Sequence, residues 1–230
     1  MNPLNQDMGY LRTSLIPGLL KAADLNIKNS KVSFRMFELG NVHFKSPLSK
    51  NGVIEEKFLS GIAVGNIIEE NVHCEIQTED IFSIKGYLKV LFQNKYSMNL
   101  DFIKITNSSR FDFAHSIIIN GIDTGEMGRF SAEIINSMGL DLANIYGFEL
   151  SLEPIKKMMS KKRVFNIINP YPKVIRDLNL VMPINQEVGP IIKIIQRQGK
   201  KLVTNITPVN IFIDDVSIGS EFKSVTFSII

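Results

Sequence analysis

The stretch DLNLVM (177–182), EVGPIIKIIQRQ (187–198) with Gly199, VTNITPVNIFI (203–213) and FKSVTFSI (222–229) decides the fold of its end of the chain. The first, third and fourth pieces predict strands. The second predicts a helix, and Gly199 falls at the C′ position, where a left-handed residue ends many helices. Strand, helix, strand, strand is the opening of a βαββαβ unit. Residues 224–230 alternate like a strand and stop without a turn or polar tail, which predicts a cut chain. The expected missing helix and strand amount to roughly thirty residues at usual element lengths.

Working back from that stretch, the pattern is mixed. Ser14 is positioned as an N-cap and Pro17 lies in a first helical turn, where a missing N–H costs no intrahelical bond, predicting a helix over 15–25. Segments 32–38 and 58–64 predict short strands around a polar loop containing Asn51-Gly52, a hairpin signal. Thr78-Glu79-Asp80 supplies an N-cap and an acidic first turn. Ile81, Ile84, Leu88, Leu91 and Phe92 follow at helical spacing, with Lys85 and Lys89 off the stripe. Further strands are expected at 100–105, 116–119, 126–127 and 145–152, with a short helix at 131–138. The fold class is α+β, mostly antiparallel.

The chain has 230 residues, 44% hydrophobic and 21% charged, which excludes disorder and fibres. Its net charge of +3 hides an asymmetry. Residues 155–230 hold 12 of the 26 Lys+Arg and 5 of the 23 Asp+Glu, so the first 154 residues are net acidic and the last 76 net basic. Lys156, Lys157, Lys161, Lys162 and Arg163 form a charge run that predicts an interdomain linker. One cysteine, Cys74, can build neither an intrachain disulfide nor a cysteine metal site, which favours a reducing compartment and a cytoplasmic location. No apolar run approaches the roughly 20 residues of a spanning helix, so no membrane partner is expected.

Several segments, in order, resemble the carboxy-terminal portion of the bacterial phenylalanyl-tRNA synthetase beta subunit family. Asn2-Pro3-Leu4-Asn5 and Tyr10-Leu11-Arg12-Thr13-Ser14-Leu15-Ile16-Pro17-Gly18-Leu19-Leu20 resemble "NPLS…LRTSLLPGLL". Met36-Phe37-Glu38-Leu39-Gly40-Asn41-Val42 is similar to "LFEIGRVF", and Asp80-Ile81-Phe82-Ser83-Ile84-Lys85-Gly86 to "DFFDLKG". Ile145-Tyr146-Gly147-Phe148-Glu149-Leu150 is similar to "VYAFELDL", and the segment from Asn169-Pro170 to Asp177-Leu178 to "SKFPAVRRDL". Two places depart from the family. Arg110-Phe111-Asp112-Phe113-Ala114-His115-Ser116 replaces a "HPGRSA"-like loop, and Val209-Asn210-Ile211-Phe212-Ile213-Asp214-Asp215 replaces "LFDVYRG".

The resemblance implies a class II synthetase-like, non-catalytic core over 1–154, a basic linker over 155–163, and a ferredoxin-like anticodon-binding domain over 164–230 lacking its last helix and strand. It implies a phenylalanine–tRNA ligase in which the companion alpha subunit binds ATP, with magnesium, and phenylalanine. The beta chain would support alpha in an α2β2 holoenzyme and contact tRNA(Phe). The fragment itself would hold no catalytic residue, no metal and no cofactor. The competing expectation is a free-standing adaptor or small-molecule-binding protein that reuses a class II-like fold.

The residues themselves bear on that expectation. Class II cores grip ATP with arginines in an "fRxE" strand and a "GxGxxR" element. Phe34-Arg35-Met36-Phe37-Glu38 separates Arg and Glu by one residue too many, which places them on opposite faces of a strand. The segment from Gly121 to Arg129 reads as a glycine-punctuated hairpin rather than a nucleotide loop. His43, His73 and His115 are scattered singly, and Ser14, Ser60 and Ser116 lack a nucleophile-elbow pattern, so neither a metal site nor a hydrolase is expected. In the basic third, Lys161, Lys162, Arg163, Lys173, Arg176, Lys193, Arg197, Lys200 and Lys201 could face phosphates, with Tyr171 stacking on an unpaired base. Composition equally allows ordinary solvated charges; the resemblance favours tRNA contact. Arg176-Asp177 reads first as a structural ion pair.

Overall fold

A computed structural model describes residues 10–47, 49–140, 144–159, 171–214 and 216–230. The chain divides into two compact units, Met1–Val164 and Phe165–Ile230. In the first, the order is α1 (Ile16–Lys28), β1 (Phe34–Lys45), β2 (Val53–Val64), β3 (Asn66–Ile68), β4 (Gln77–Thr78), α2 (Ile81–Leu88), β5 (Leu100–Lys104), β6 (Phe111–Ile119), β7 (Ile122–Phe130), α3 (Ala132–Ser137), β8 (Tyr146–Ser151) and α4 (Lys156–Met159). Six strands form one antiparallel sheet in the order β1-β2-β8-β7-β6-β5.

Both faces of this sheet are packed, because neighbouring strand residues point to opposite sides. Ile62 and Val64 join Ile16, Leu19, Leu20 and Ala23 of α1 and Ile135 of α3 in one core. Ala63, Phe148 and Leu150 join Ile84, Leu88 and Phe92 in the other. Gly61 lets the second core close, since a Cβ there would sit 2.6 Å from Phe148 Cε1.

Several expected elements prove longer or displaced. The β1/β2 hairpin runs twelve residues per strand, from Phe34↔Val64 to Lys45↔Val53. In its outer half Val42 and Phe44 alternate with Asn41, His43 and Lys45, whereas the facing Glu55-Glu56-Lys57 shows no such alternation. Helix α1 starts after Leu15 and not at Ser14, whose hydroxyl accepts the Ile16 N–H at 3.2 Å but is no N-cap. Helix α2 is capped by Asp80 in a reciprocal capping box with Ser83. Past Leu88 it widens into a π-helix, Lys89–Lys95, that keeps Phe92 buried. Strand β6 occupies the departed segment after Arg110, with a bulge between Asp112 and His115 that holds Phe113 at φ 53°. β6 and β7 are joined by the two-residue turn Asn120-Gly121, both at positive φ, the conformation of a type I′ hairpin.

The second unit comprises β9 (Arg176–Pro183), α5 (Val188–Gly199), β10 (Ile206–Phe212) and β11 (Phe222–Ile229). Its antiparallel sheet has the order β10-β11-β9. Val188, Ile191, Ile192 and Ile195 of α5 pack on Met182, Val225 and Phe227. Gly199 is the last helical residue and Lys200, at φ 49°, takes the left-handed position expected of the glycine. The glycine is needed for contact instead: a Cβ at 199 would lie 2.1 Å from Val203 Cγ2. β10 begins at 206 because Thr204 and Asn205 donate their N–H groups to the Ile230 carbonyl, at 2.7 and 3.2 Å. Pro208, which has no N–H to give, sits beside the bulge in β10.

Candidate functional site

Three charged clusters organise the first unit, and each is built from a segment noted in the sequence. Glu149 on β8 is 2% exposed. Its carboxylate accepts the Leu15 N–H at 2.8 Å, the Ser14 hydroxyl at 2.9 Å and Arg110 Nη1 at 2.5 Å. An acid at the start of α1 satisfies an N–H without an intrahelical partner and opposes the helix dipole. Arg110 also approaches Glu126 at 3.7 Å. The second cluster ties the chain before α1 to the sheet edge. Arg12 donates from Nε to the Asn41 carbonyl at 2.9 Å and pairs with Glu38 at 2.5 Å, passing over Gly40, where a Cβ would meet Arg12 Nη2 at 2.3 Å.

The third cluster joins β1 to α2. Arg35 Nε donates to Tyr87 Oη at 2.8 Å and lies 2.5 Å from Glu79, a carboxylate with 1% side-chain exposure that also accepts from Tyr87 and Ser83. Burial pulls the Arg35 pKa down, but the Tyr87 hydrogen bond and the Glu79 charge outweigh it and the net shift is upward. Burial raises the Tyr87 pKa, with the Arg35 hydrogen bond opposing and Glu79 reinforcing the rise. Glu79 therefore sits outside the first turn of α2 expected for it and acts as the centre of a clasp.

These contacts bear directly on nucleotide gripping. Arg129 pairs with Asp112 at 3.2 Å and lies 5.2 Å from the Phe113 ring centroid. Arg35 and Arg129 line different cavities, and their strands are separated by β2 and β8 in the sheet. Glu38 and Arg35, three apart on β1, fall on opposite faces. Among the described residues no group of three His, Cys, Asp or Glu could hold a metal ion. Arg35 and Arg129 are thus each held by a carboxylate and do not converge on one phosphate site.

In the second unit the predicted basic residues are brought together only in part. Lys193 and Arg197 lie one turn apart on α5, and Lys200 and Lys201 follow its C-terminal end, where cations complement the dipole. Arg176 shares a row of β9 with Leu180 and Met182, the row that faces α5, whereas Asp177 points to the opposite face. They are therefore not the ion pair expected from their adjacency. Tyr171 is 77% exposed and, with Lys173, precedes β9. Among the described residues Lys173, Arg176, Arg197, Lys200 and Lys201 form no ion pair. Lys161, Lys162 and Arg163 lie outside the described residues.

Sequence reasoning missed the sheet face opposite α5. There Asn179, Ser224, Thr226 and Asn210 form a hydrogen-bonding surface beside Phe212, and Ser224 Oγ donates to Asn179 Oδ1 at 2.7 Å. The signal was the alternation of Ser224, Thr226 and Ser228 with apolar residues.

Comparison with known proteins decides the relationship: the family "Phenylalanyl tRNA synthetase beta chain CLM domain" matches residues 1–152. The chain belongs to this family. Among its relatives, the phenylalanine–tRNA ligase beta subunit of Listeria monocytogenes serotype 4b is 27% identical over 230 residues, 99% of this chain and 28% of the relative. The beta subunit of Fusobacterium nucleatum is 28% identical over 235 residues, covering all of this chain and 29% of the relative. A chloroplastic beta subunit of Phaeodactylum tricornutum is 28% identical over 216 residues, 90% of this chain and 30% of the relative. The chain thus spans less than a third of the length of these beta chains. Ser14, Leu15 and Glu149 of the first cluster and Arg12, Glu38 and Asn41 of the second belong to the segments that carry the family resemblance, whereas Arg110 comes from a segment that departs from it.

Proposed function

We propose that this chain is a non-catalytic portion of a phenylalanine–tRNA ligase beta subunit, working in the cytoplasm. The first unit, a class II synthetase-like core, supports the catalytic alpha subunit of an α2β2 enzyme. The second, a βαββ unit of ferredoxin-like type, approaches the anticodon region of tRNA(Phe), with 155–163 as the linker between them. ATP and magnesium belong to the complete enzyme.

The observation that carries this reading is the contrast in how charge is used within a member of the beta-chain family. Arginines that could have gripped a nucleotide are committed to carboxylates, whereas among the described residues Arg197, Lys200 and Lys201 at the end of α5 are exposed and form no ion pair. Solvated cations add a salt-sensitive, sequence-independent attraction to phosphates, and unpaired bases can be met by side chains such as Tyr171.

Two experiments test it. Mixed at micromolar concentration with the matching alpha subunit, the chain should co-elute in size-exclusion chromatography; separate elution overturns the supporting role. Filter binding with a tRNA(Phe) transcript should show affinity falling steeply between 50 and 200 mM salt, a range in which about 10³-fold is lost when six or more phosphates are neutralised. A flat response overturns the tRNA role.

A further inference from the structure

Between the β1/β2 end of the sheet and the α2–π-helix lies a cavity of about 440 Å³. That is within the roughly 300–1,000 Å³ typical of small-molecule sites. Its interior is hydrocarbon and aromatic: Leu59, Ala63, Leu91, Phe92, Phe148 and Leu152 contribute walls. On the edge strand, Phe37 and Leu39 flank it at 76% and 54% exposure, large apolar groups with no role in either core. Besides Tyr96, the charged and hydroxyl-bearing side chains of the lining are Arg35 and Tyr87.

The clasp fixes how those two are presented. Glu79, buried behind them, takes Arg35 Nε and the Tyr87 hydroxyl, and Arg35 Nη2 reaches the Asn66 carbonyl at 3.4 Å. Among the described residues Arg35 Nη1 has no partner, and the side chain is 44% exposed. A guanidinium carries five N–H donors in a rigid fork, so three anchors on one side leave an oriented, prepaid edge for a planar anion. The ordering entropy of the arginine has been met by the fold. An apolar lining that includes one positioned cation matches a ligand of the same polarity pattern.

We propose that this cavity binds a small amphiphilic carboxylate, an aromatic or aliphatic body ending in one carboxylate, with Arg35 as its anchor. The site is independent of the tRNA role of the second unit. No bond is made or broken; the function is binding.

The test uses the 230-residue chain with 2-naphthylacetic acid and its neutral counterpart 2-naphthylacetamide, titrated calorimetrically at low salt. The acid should bind at least fivefold more tightly than the amide. Arg35→Gln should erase that preference by weakening the acid's binding at least fivefold relative to the amide's, and Ala63→Leu, which fills the interior, should abolish binding of both. Thermal melts establish that each variant is folded. Should Arg35→Gln unfold because Glu79 loses its cation, Arg35→Lys keeps the charge without the fork and should cut the preference to below twofold. Equal binding of acid and amide by the unaltered chain would reveal only an apolar face of the kind a protein partner covers, and would overturn the proposal. So would an acid preference that survives Arg35→Gln, or binding indifferent to Ala63→Leu.

Discussion

The two units handle charge and burial in opposite ways. The first packs cores on both faces of six strands and turns its arginines inward to the scaffold, as Arg12, Arg35, Arg110 and Arg129 each hold a carboxylate. The second packs one helix against one face of three strands, and among the described residues five of its cations, Lys173, Arg176, Arg197, Lys200 and Lys201, are exposed and form no ion pair. A charge engaged by a buried acid is locked into the fold and costly to remove; a solvated one contributes little to stability and remains available to a partner. The same residue type therefore reports scaffold in one unit and surface in the other.

The largest expected effect breaks that contrast at Glu149. Glu149→Ala leaves Arg110 without its buried acid and strips Ser14 and the Leu15 N–H of their acceptor, and chemical denaturation should show a loss of about 3–5 kcal/mol. A loss below 1 kcal/mol would mean that the cluster is ornamental. Gly61→Ala should cost about 1–3 kcal/mol by driving a methyl group into the Phe148 ring, detected as a lower midpoint with an unchanged denaturant slope. Phe113→Gly should instead raise stability by about 1 kcal/mol, because the bulge holds a bulky residue at φ 53° where glycine is unstrained. A destabilised Phe113→Gly would show that the ring's contact with Arg129 outweighs the backbone strain. Smallest of all, Arg197→Gln with Lys201→Gln should leave the melting curve within about 0.5 kcal/mol of the original, as removal of solvated charges does.

Alkaline pH probes the Arg35 clasp separately. Tyr87 has its pKa raised in the folded state above the ordinary 10.0. Its contribution is therefore complete below pH 10 and is lost as pH rises through the raised value. A Tyr87→Phe variant should lack that alkaline decline.

Much of this architecture was legible because local chemistry and packing agree. The capping signal at Asp80, the Asn51-Gly52 hairpin signal and the strand at 222–229 appear where their residues place them, whereas the hairpin expected over 121–129 is a turn residue followed by the single strand β7. The misses have physical causes. The outer half of the β1/β2 hairpin has buried Val42 on one strand but Glu55-Glu56-Lys57 on the other, so the strand character of that second side comes from pairing rather than burial. Gly199 was read as a cap because a glycine ending a helix usually supplies φ > 0, whereas here Val203 requires its bare Cα. Of the candidate interface, the α5 cations were visible as charges. The sheet face with Asn179 and Ser224 was not, since polar residues acquire a shared face only when register is known.

The most direct test of the division between scaffold and surface is tRNA(Phe) binding as a function of salt, for the chain and for the variant Arg197→Gln, Lys200→Gln, Lys201→Gln. The expected result is a slope of log affinity against log salt that is shallower by about two to three in the folded variant, one unit for each phosphate contact removed. An unchanged slope, with affinity intact, would contradict the assignment of these cations to a phosphate-facing surface.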